Sequence, residues 1–174
     1  MREWQSLSHV RWYCRYHVVF VPKYRKRSIF GQLRKDIGRI LRELCMQHEV
    51  ELVEGHAMPD HVHLLFQLGN TLTLDRVVAK WRTLVRRAVP GLAWQANFFE
   101  HRLRADELSE GYAWYVFMNP YRAGLIGTDS VWPGWWTDGV TSHEFLALAR
   151  PGPCPQPELL GKVEERTRGL ILGE

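Results

Sequence analysis

Apolar positions along the chain recur with two different periods, and these periods predict the secondary structure. Runs rich in β-branched and aromatic residues and bounded by Pro, Gly, Asn or Asp predict strands. Runs in which apolar residues recur at steps of three and four predict amphipathic helices. The expected strands are 10–21, 50–58, 61–68 and 98–103, and the expected helices are 32–47, 73–88 and 106–118.

The order of these elements is strand, helix, strand, strand, helix, strand, helix. It predicts an α+β fold built from two split β-α-β units, a ferredoxin-like sandwich with an antiparallel sheet of about four to five strands and helices on one face. The second and third strands are joined by a tight turn and should pair as a hairpin. Residues 1–149 should form this domain, and 150–174 a Pro-rich linker and a short C-terminal helix.

Two boundaries late in the domain depend on proline. The dipeptide Asn119-Pro120 is expected to stop the third helix. The segment Trp132–Trp136 holds three tryptophans around a Pro-Gly pair, which predicts a rigid aromatic loop packed over the core.

Composition narrows the class of protein without choosing a function. The 174 residues are 45% hydrophobic, which is enough for one domain with a core, and the net charge is +4 with eight tryptophans. Basic groups mixed with aromatic rings suit single-stranded nucleic acid, whose phosphates need charge and whose bases need flat partners. A mildly basic enzyme with a Trp-rich core explains the same composition equally well.

Cysteine content and hydropathy point to the cytoplasm. Cys14, Cys45 and Cys154 are odd in number and far apart, and no C-x-x-C occurs, which favours a reducing compartment. No apolar run approaches the roughly 20 residues that cross a bilayer, and no secretory signal opens the chain. We therefore expect a soluble cytoplasmic protein, associated with the nucleoid if it binds DNA.

Cations cluster in two places that could contact phosphates. One cluster follows the first strand, and the other lies on the polar face of the second helix. A solvated surface is the alternative explanation for both clusters. The residues selected as phosphate contacts are Lys23, Arg25, Lys26, Arg27, Lys80, Arg86 and Arg87.

Two pairs of residues carry candidate chemistry. His61 and His63 are two apart on a strand, so their imidazoles share a face at roughly 7 Å of backbone separation and could close on one metal ion. Tyr115 and Asn119 are four apart on a helix and share a face, where a tyrosine could act as a nucleophile. Partly exposed histidines, a packed aromatic and an ordinary helix stop are the structural alternatives.

Several motifs together resemble one family. Y-H-V-V-F-V-P-K-Y-R, beginning at Tyr16, and M-P-D-H-V-H-L-L, beginning at Met58, resemble the HUH single-tyrosine transposases of small insertion sequences, in which U is an apolar residue, here Val62. F-F-E-H-R-L-R, Y-V-F-M-N-P-Y-R-A-G-L and S-V-W-P, from residues 98, 115 and 130, resemble their REP-associated relatives. The resemblance covers roughly residues 10–140.

The resemblance implies a role for each candidate residue. His61 and His63 match the paired metal ligands, and Tyr115 matches the nucleophile, on a helix beside the His pair. Asn119 stands where other members carry a metal-binding glutamine, a departure that fits the REP-associated subgroup. Glu100 and His101, on the strand expected at 98–103, should lie beside the site. They could orient ligands, contact DNA or be surface residues.

The implied activity is metal-assisted nicking and rejoining of single-stranded or hairpin DNA through a 5′-phosphotyrosine link, with Mg²⁺ or Mn²⁺ as cofactor. Imidazole ligands suit Mn²⁺ better than Mg²⁺, so activity with Mn²⁺ should at least equal that with Mg²⁺. The family also implies a homodimer, although some relatives act as monomers. Two rival functions are a hairpin-binding module without catalysis and a metal hydrolase that uses water.

Overall fold

The structure is a computed structural model that describes residues 5–7, 10–12, 14–104, 109–127 and 130–138. The linker and C-terminal helix expected in 150–174 lie outside the described residues. A single 3₁₀ turn in the described part, Lys23–Arg25, follows the third strand. The strands are β1 (Gln5–Leu7), β2 (Val10–Trp12), β3 (Arg15–Phe20), β4 (Glu51–Ala57), β5 (Val62–Gln67), β6 (Phe99–Arg102) and β7 (Trp135–Thr137), and the helices are α1 (Gly31–Gln47), α2 (Leu74–Ala88) and α3 (Ser109–Arg122).

Five strands form one antiparallel sheet in the order β6-β3-β5-β4-β7. Helices α1 and α2 cover one face of this sheet, and α3 packs on the other. The predicted α+β sandwich, its antiparallel sheet and its β4–β5 hairpin are confirmed. The expectation that the helices lie on one face holds for α1 and α2 only, because the apolar residues of α3 form a second core on the opposite face. The single strand predicted over 10–21 is divided, because β2 pairs with β1 in a separate two-stranded sheet while β3 pairs with β5 and β6.

Alternation of side chains along β5 separates two cores. Val62, Leu64 and Phe66 are buried in the core that α1 and α2 cover. Leu65 belongs to the core under α3. His63 lies on the same face as Leu65, because residues two apart on a strand point the same way. The candidate histidine is therefore on the α3 side of the sheet.

Helix α3 continues beyond the stop that the sequence predicted. Asn119 and Pro120 are inside the helix, which ends at Arg122. Its end is formed by Gly124, which has φ +62°, with Gly124 N–H donating to the Tyr121 carbonyl and the N–H of Leu125 donating to that of Pro120. This is the Schellman arrangement, which satisfies the final carbonyls of a helix. The glycine, rather than the proline, ends α3.

The predicted tryptophan loop contains an edge strand. Trp135–Thr137 pairs antiparallel with β4 and closes one side of the sheet. Trp132 is buried, and its indole N–H donates to the carbonyl of Ala57 at 2.8 Å. A three-residue strand is too short to display a two-residue period, which explains why the pattern predicted only a loop.

The described residues bear on the expectations for membrane helices and for cysteines. Among the described residues, no helix combines the length and the apolar character that spanning a bilayer requires. Cys14 is half-buried and Cys45 is buried, and both are free thiols. Burial raises the pKa of Cys45 to about 12, so this thiol is unreactive at neutral pH.

Candidate metal and nucleophile site

The two candidate histidines meet at the start of β5. His63 is buried within the strand, whereas His61 lies just before it in the turn from β4. Their ring centroids are 4.7 Å apart and the rings are nearly perpendicular. The N–H of Met58 donates to the carbonyl of His61 at 2.8 Å, which closes the turn. Both imidazoles therefore reach a common point although only one belongs to the strand.

Asn119 of α3 completes this meeting point. Its amide nitrogen is 2.7 Å from Nε2 of His63 and 3.3 Å from Nε2 of His61. An amide N–H can donate to a ring nitrogen only if that nitrogen carries a lone pair. Both Nε2 lone pairs are therefore directed at the same place, and a half-turn of the amide brings its oxygen there as well.

Asp60 fixes the tautomer of His61. Its carboxylate oxygen is 2.8 Å from Nδ1 of the neighbouring imidazole and accepts the hydrogen bond. This bond lowers the pKa of Asp60, so the group is an anion at neutral pH. Because Nδ1 carries the proton, Nε2 of His61 is left with its lone pair free for a cation.

His17, on β3, makes the equivalent contact to His63. Nε2 of His17 is 3.0 Å from Nδ1 of His63, and the two rings stack at 5.2 Å. Burial, helped by the neighbouring charge of His101, lowers the pKa of His17 to about 3. Burial also holds the pKa of His63 well below its usual value. Both rings are neutral at physiological pH, as a metal ligand and its partner must be.

Tyr115 lies beside the histidines of its own chain. The centroid of its ring is 5.9 Å from that of His63 and 6.3 Å from that of His17, both in edge-to-face geometry. The guanidinium carbon of Arg122 lies 5.3 Å from the tyrosine ring centroid. Continuation of α3 through Asn119 keeps the tyrosine and the amide one turn apart on the same face. Four residues from two distant segments thus converge.

The two candidates on β6, Glu100 and His101, lie on opposite faces of the sheet. His101 pairs in register with His17 and stacks on Tyr112 at 5.3 Å, so it belongs to the α3 side. Glu100 pairs with Val18 and is exposed, and it therefore points to the face that α1 and α2 cover. Only His101 is close to the site.

The predicted phosphate contacts are also divided. Lys23, Arg25, Lys26 and Arg27 are exposed in a segment that leads directly to Ser28 and Ile29. The backbone N–H groups of both those residues donate to the carbonyl of Pro59, in the turn that carries His61. Lys80, Arg86 and Arg87 are exposed on α2, across the sheet from Tyr115. The structure brings only the first cluster to the histidines.

The donor set fits a divalent cation. No group of three His, Cys, Asp or Glu side chains converges among the described residues, so a metal would depend on two imidazoles and the amide of Asn119. Imidazole nitrogen and amide oxygen form a mixed set that suits Mn²⁺ and leaves positions for substrate oxygen. Each imidazole has a hydrogen-bonded partner on its outer nitrogen, as metal-binding histidines generally do.

Sequence reasoning missed the partners of the ligands. Asp60 and His17 stand inside the quoted family motifs, but their roles depend on ring nitrogens that only coordinates reveal. Two further polar residues of β4, Glu54 and His56, are fully buried on the α3 side. Glu54 accepts a hydrogen bond from the indole of Trp135 at 2.7 Å. A polar residue within an apolar strand was the available signal for all three buried residues on β3 and β4.

Comparison with known proteins places this geometry in context. The chain is 43% identical over 75 residues to the transposase for insertion sequence element IS200 of Salmonella typhimurium, a match that covers 43% of this chain and 49% of that protein. It is 23% identical over 108 residues to the REP-associated tyrosine transposase of Escherichia coli K12, covering 60% and 62% of the two chains. The match spans about half the length of the IS200 relative.

A solved structure shares the fold. The REP-associated tyrosine transposase bound to a REP hairpin aligns with a TM-score of 0.59 and 15% sequence identity, over 87% of this chain and 99% of that one. The family model described as "Transposase IS200 like" matches residues 10–108, which is more than half of the chain and includes the His61–His63 pair. On this evidence the chain belongs to the IS200-like transposase family.

Proposed function

We propose that this protein nicks and rejoins single-stranded DNA in a metal-dependent reaction that passes through a 5′-phosphotyrosine on Tyr115. The observation that carries the proposal is that Asn119 contacts the unprotonated nitrogens of His61 and His63 while the ring of Tyr115 lies 5.9 Å from that of His63. Membership of a transposase family supports DNA as the substrate. No nucleotide cofactor is required, because the covalent link conserves the energy of the broken bond.

Each residue has a defined part in the reaction. A bound Mg²⁺ or Mn²⁺ would polarise the scissile phosphate and offset its developing charge. The Tyr115 oxygen forms a bond to phosphorus while the bond to the 3′ oxygen breaks, and the phenol proton is transferred so that a free 3′-hydroxyl leaves. Rejoining is the reverse attack by a 3′-hydroxyl. His61, His63 and Asn119 would hold the cation, and Asp60 and His17 orient the imidazoles.

We infer that the DNA is folded as a hairpin, of the REP type. Two similar proteins support this substrate: the Escherichia coli relative is a REP-associated tyrosine transposase, and the solved structure is of such a transposase bound to a REP hairpin. The exposed cations Arg25, Lys26 and Arg27 beside the His61 turn are available for phosphates next to the cut.

The experiment is covalent capture of labelled DNA. Hairpin oligonucleotides with single-stranded flanks are incubated with protein and Mn²⁺ or Mg²⁺, and adducts are resolved on denaturing gels. The 3′-labelled fragment should become attached to wild-type protein and the 5′-labelled fragment should be released free. Tyr115→Phe should form no adduct. Tyr121→Phe is the matched control, because this tyrosine is on the same helix and donates its hydroxyl to the carbonyl of Ser130.

The same gels separate the rival functions. A binding module would shift the hairpin in native gels without nicking it. A metal hydrolase would nick DNA while leaving no protein-linked fragment. Chelation should abolish the adduct, Mn²⁺ should restore it at least as well as Mg²⁺, and full activity after chelation would contradict the metal assignment.

We also propose that the enzyme is a homodimer, as the family resemblance suggests, with each Tyr115 serving the histidines of its own chain in the resting state. The 5.9 Å separation of the Tyr115 and His63 rings within one chain supports the second part. Mixing Tyr115→Phe protein with His63→Ala protein tests it. Restored adduct formation in the mixture would instead mean that the tyrosine acts on the partner's metal site.

A further inference from the structure

A cleft opens on the side of the sheet opposite Tyr115, between α1 and β7. Its volume is about 420 Å³. Glycines stand on both of its walls, Gly38 on α1 and Gly55 on β4, and the ring of Trp136 lies 4.0 Å from where a Cβ on Gly55 would be. The absence of side chains at these two positions leaves the space open beside an indole face.

Two arginines of α1 lie over tryptophans at this cleft. The guanidinium carbon of Arg34 is 4.5 Å from the ring centroid of Trp132, and that of Arg42 is 5.6 Å from the ring centroid of Trp136. A guanidinium stacked on an indole is held flat, which leaves its edge N–H groups available to bind an oxyanion. The cleft is thus lined by two orientated arginines, Arg42 over Trp136, which also lines the cleft, and Arg34 over the buried Trp132.

The charge of these arginines is not neutralised within the described residues. Arg39, which also lines the cleft, pairs with Glu43 at 3.0 Å and with Asp36 at 3.8 Å. Arg34 and Arg42 have no carboxylate partner in the described part of the chain, and Nε of Arg34 is buried without a hydrogen bond. The cleft is complementary to a negatively charged ligand.

The end of β4 connects the cleft to the candidate active site. Trp132 donates to the carbonyl of Ala57, and the N–H of Ala57 donates to the carbonyl of Gly134, so the aromatic wall is fixed to the last residue of β4. The turn to His61 follows directly. A strand of DNA could pass from one side to the other around the end of β4.

We propose that this cleft binds the single-stranded DNA that flanks the cut site, with Arg34 and Arg42 contacting successive phosphates and Trp136 stacking on a base. The proposal rests on the proposed function for its substrate. Single-stranded binding sites combine a basic groove with aromatic faces in this way, because every base offers a flat surface and every linkage a negative charge. The sequence analysis predicted no ligand for Arg34, Arg42 or Trp136.

The test compares hairpins with and without a single-stranded thymidine tail. Binding is measured by fluorescence anisotropy without metal, on full-length Tyr115→Phe protein, so that no cleavage intervenes. The tail should raise the affinity of this protein about tenfold. Arg34→Ala/Arg42→Ala should abolish that gain and lower the log–log salt slope by about 1.4, for two phosphates on a single strand. Arg34→Lys/Arg42→Lys should retain part of the gain.

Two controls separate a ligand contact from a folding defect. Arg76→Ala removes an exposed cation from α2 and should leave the tail effect intact. A tail that carries 5-iodouridine should photocrosslink to the peptide containing Trp136. An undiminished tail effect in the double alanine variant, with its melting temperature unchanged, would overturn the proposal, as would crosslinks confined to other peptides.

Failure of the cleft and failure of the enzymatic function give different results. If wild-type protein forms an adduct and the affinity gain from the tail does not depend on Arg34 and Arg42, only the proposed role of the cleft is refuted. A tail effect that depends on both arginines, in a protein that never forms an adduct, supports the cleft and refutes the nicking function.

Discussion

At the scale of single residues, the contact with His17 on β3 bears on which nitrogen of His63 carries the proton. A proton on Nδ1 of His63 can be donated to His17 at 3.0 Å, and Nε2 then keeps its lone pair toward Asn119. A histidine with the opposite tautomer would present N–H to a cation and could not bind it. Under the proposed function, His17 is therefore a positioning residue, which acts through the ligand that it orients.

Replacing His17 should weaken metal binding more than it weakens the fold. His17→Leu removes the acceptor and should lower Mn²⁺ affinity by about 10- to 100-fold, the usual effect of losing such a partner. His17→Gln offers a carbonyl oxygen and should recover part of the affinity. Mn²⁺ titration followed by electron paramagnetic resonance measures this, with thermal melting as a check on folding. Unchanged affinity in a folded His17→Leu protein would show that the tautomer is set elsewhere.

Glu54 predicts how stability depends on pH. Burial raises the pKa of this carboxyl well above its usual value, and the nearby charges of Glu110 and Asp138 add to the effect. The unfolded chain ionises near the ordinary value while the folded chain retains the proton, so stability is lost as pH rises through the folded pKa. Glu54→Gln cannot ionise and keeps an oxygen for the Trp135 indole.

We expect Glu54→Gln to melt at a higher temperature than wild type at pH 8, by an amount equivalent to about 1 kcal/mol or more. The difference should shrink toward pH 4, where the wild-type carboxyl is protonated in both states. Glu43→Gln is the control, because Glu43 is exposed and pairs with its helix neighbour Arg39. A constant difference across the whole pH range would mean that Glu54 acts through packing alone.

At the scale of elements, the sequence predicted long periodic segments well and short or capped ones poorly. The helices predicted at 32–47 and 73–88 agree with α1 and α2 to within one residue, since an apolar stripe repeats over four turns in each. β7 was missed because three residues carry no period. The end of α3 was wrong because Gly124, and not Pro120, supplies the terminating conformation.

Attachment of β7 depends on one glycine. A Cβ on Gly134 would lie 2.4 Å from the carbonyl oxygen of Ala57 and 2.6 Å from Nε1 of Trp132, closer than folded proteins allow. Gly134→Ala should therefore displace the edge strand and cost about 1–3 kcal/mol of stability in urea unfolding. Gly111→Ala is the matched control, because no described residue lies within 4 Å of where its Cβ would be, and a helical alanine should be neutral or stabilising by up to about 1 kcal/mol. Equal stability of the two variants would contradict the contact.

At the scale of the whole molecule, the sheet separates a face covered by α1 and α2 from a face covered by α3. The family motifs singled out His61, His63, Tyr115 and Asn119 as candidates, and the fold brings these four residues together on the α3 side. Sequence position alone could not assign a side to the surface cations. Those of the loop after β3 lie beside the His61 turn, whereas those of α2 lie across the sheet.

This division predicts unequal contributions to DNA binding. Neutralising Arg25, Lys26 and Arg27 together should lower the log–log salt slope for a single-stranded site by about 2, since three phosphate contacts are lost. Lys80→Ala/Arg86→Ala/Arg87→Ala changes the net charge equally and should leave the slope almost unchanged. Binding isotherms from 50 to 300 mM salt give the slopes. Equal losses in the two triple variants would place both clusters at the interface.

The two imidazoles differ in how firmly the backbone holds them. His63 is locked in the middle of a five-stranded sheet, whereas His61 sits in the turn before β5 and outside its ladder. The sheet therefore fixes the position of the His63 imidazole, whereas the position of the His61 imidazole depends on a turn. If the two imidazoles hold a cation as proposed, a small shift of His61 would accommodate ions of unlike radius, so tolerance toward the choice of cation would come from the backbone rather than from the ligands themselves.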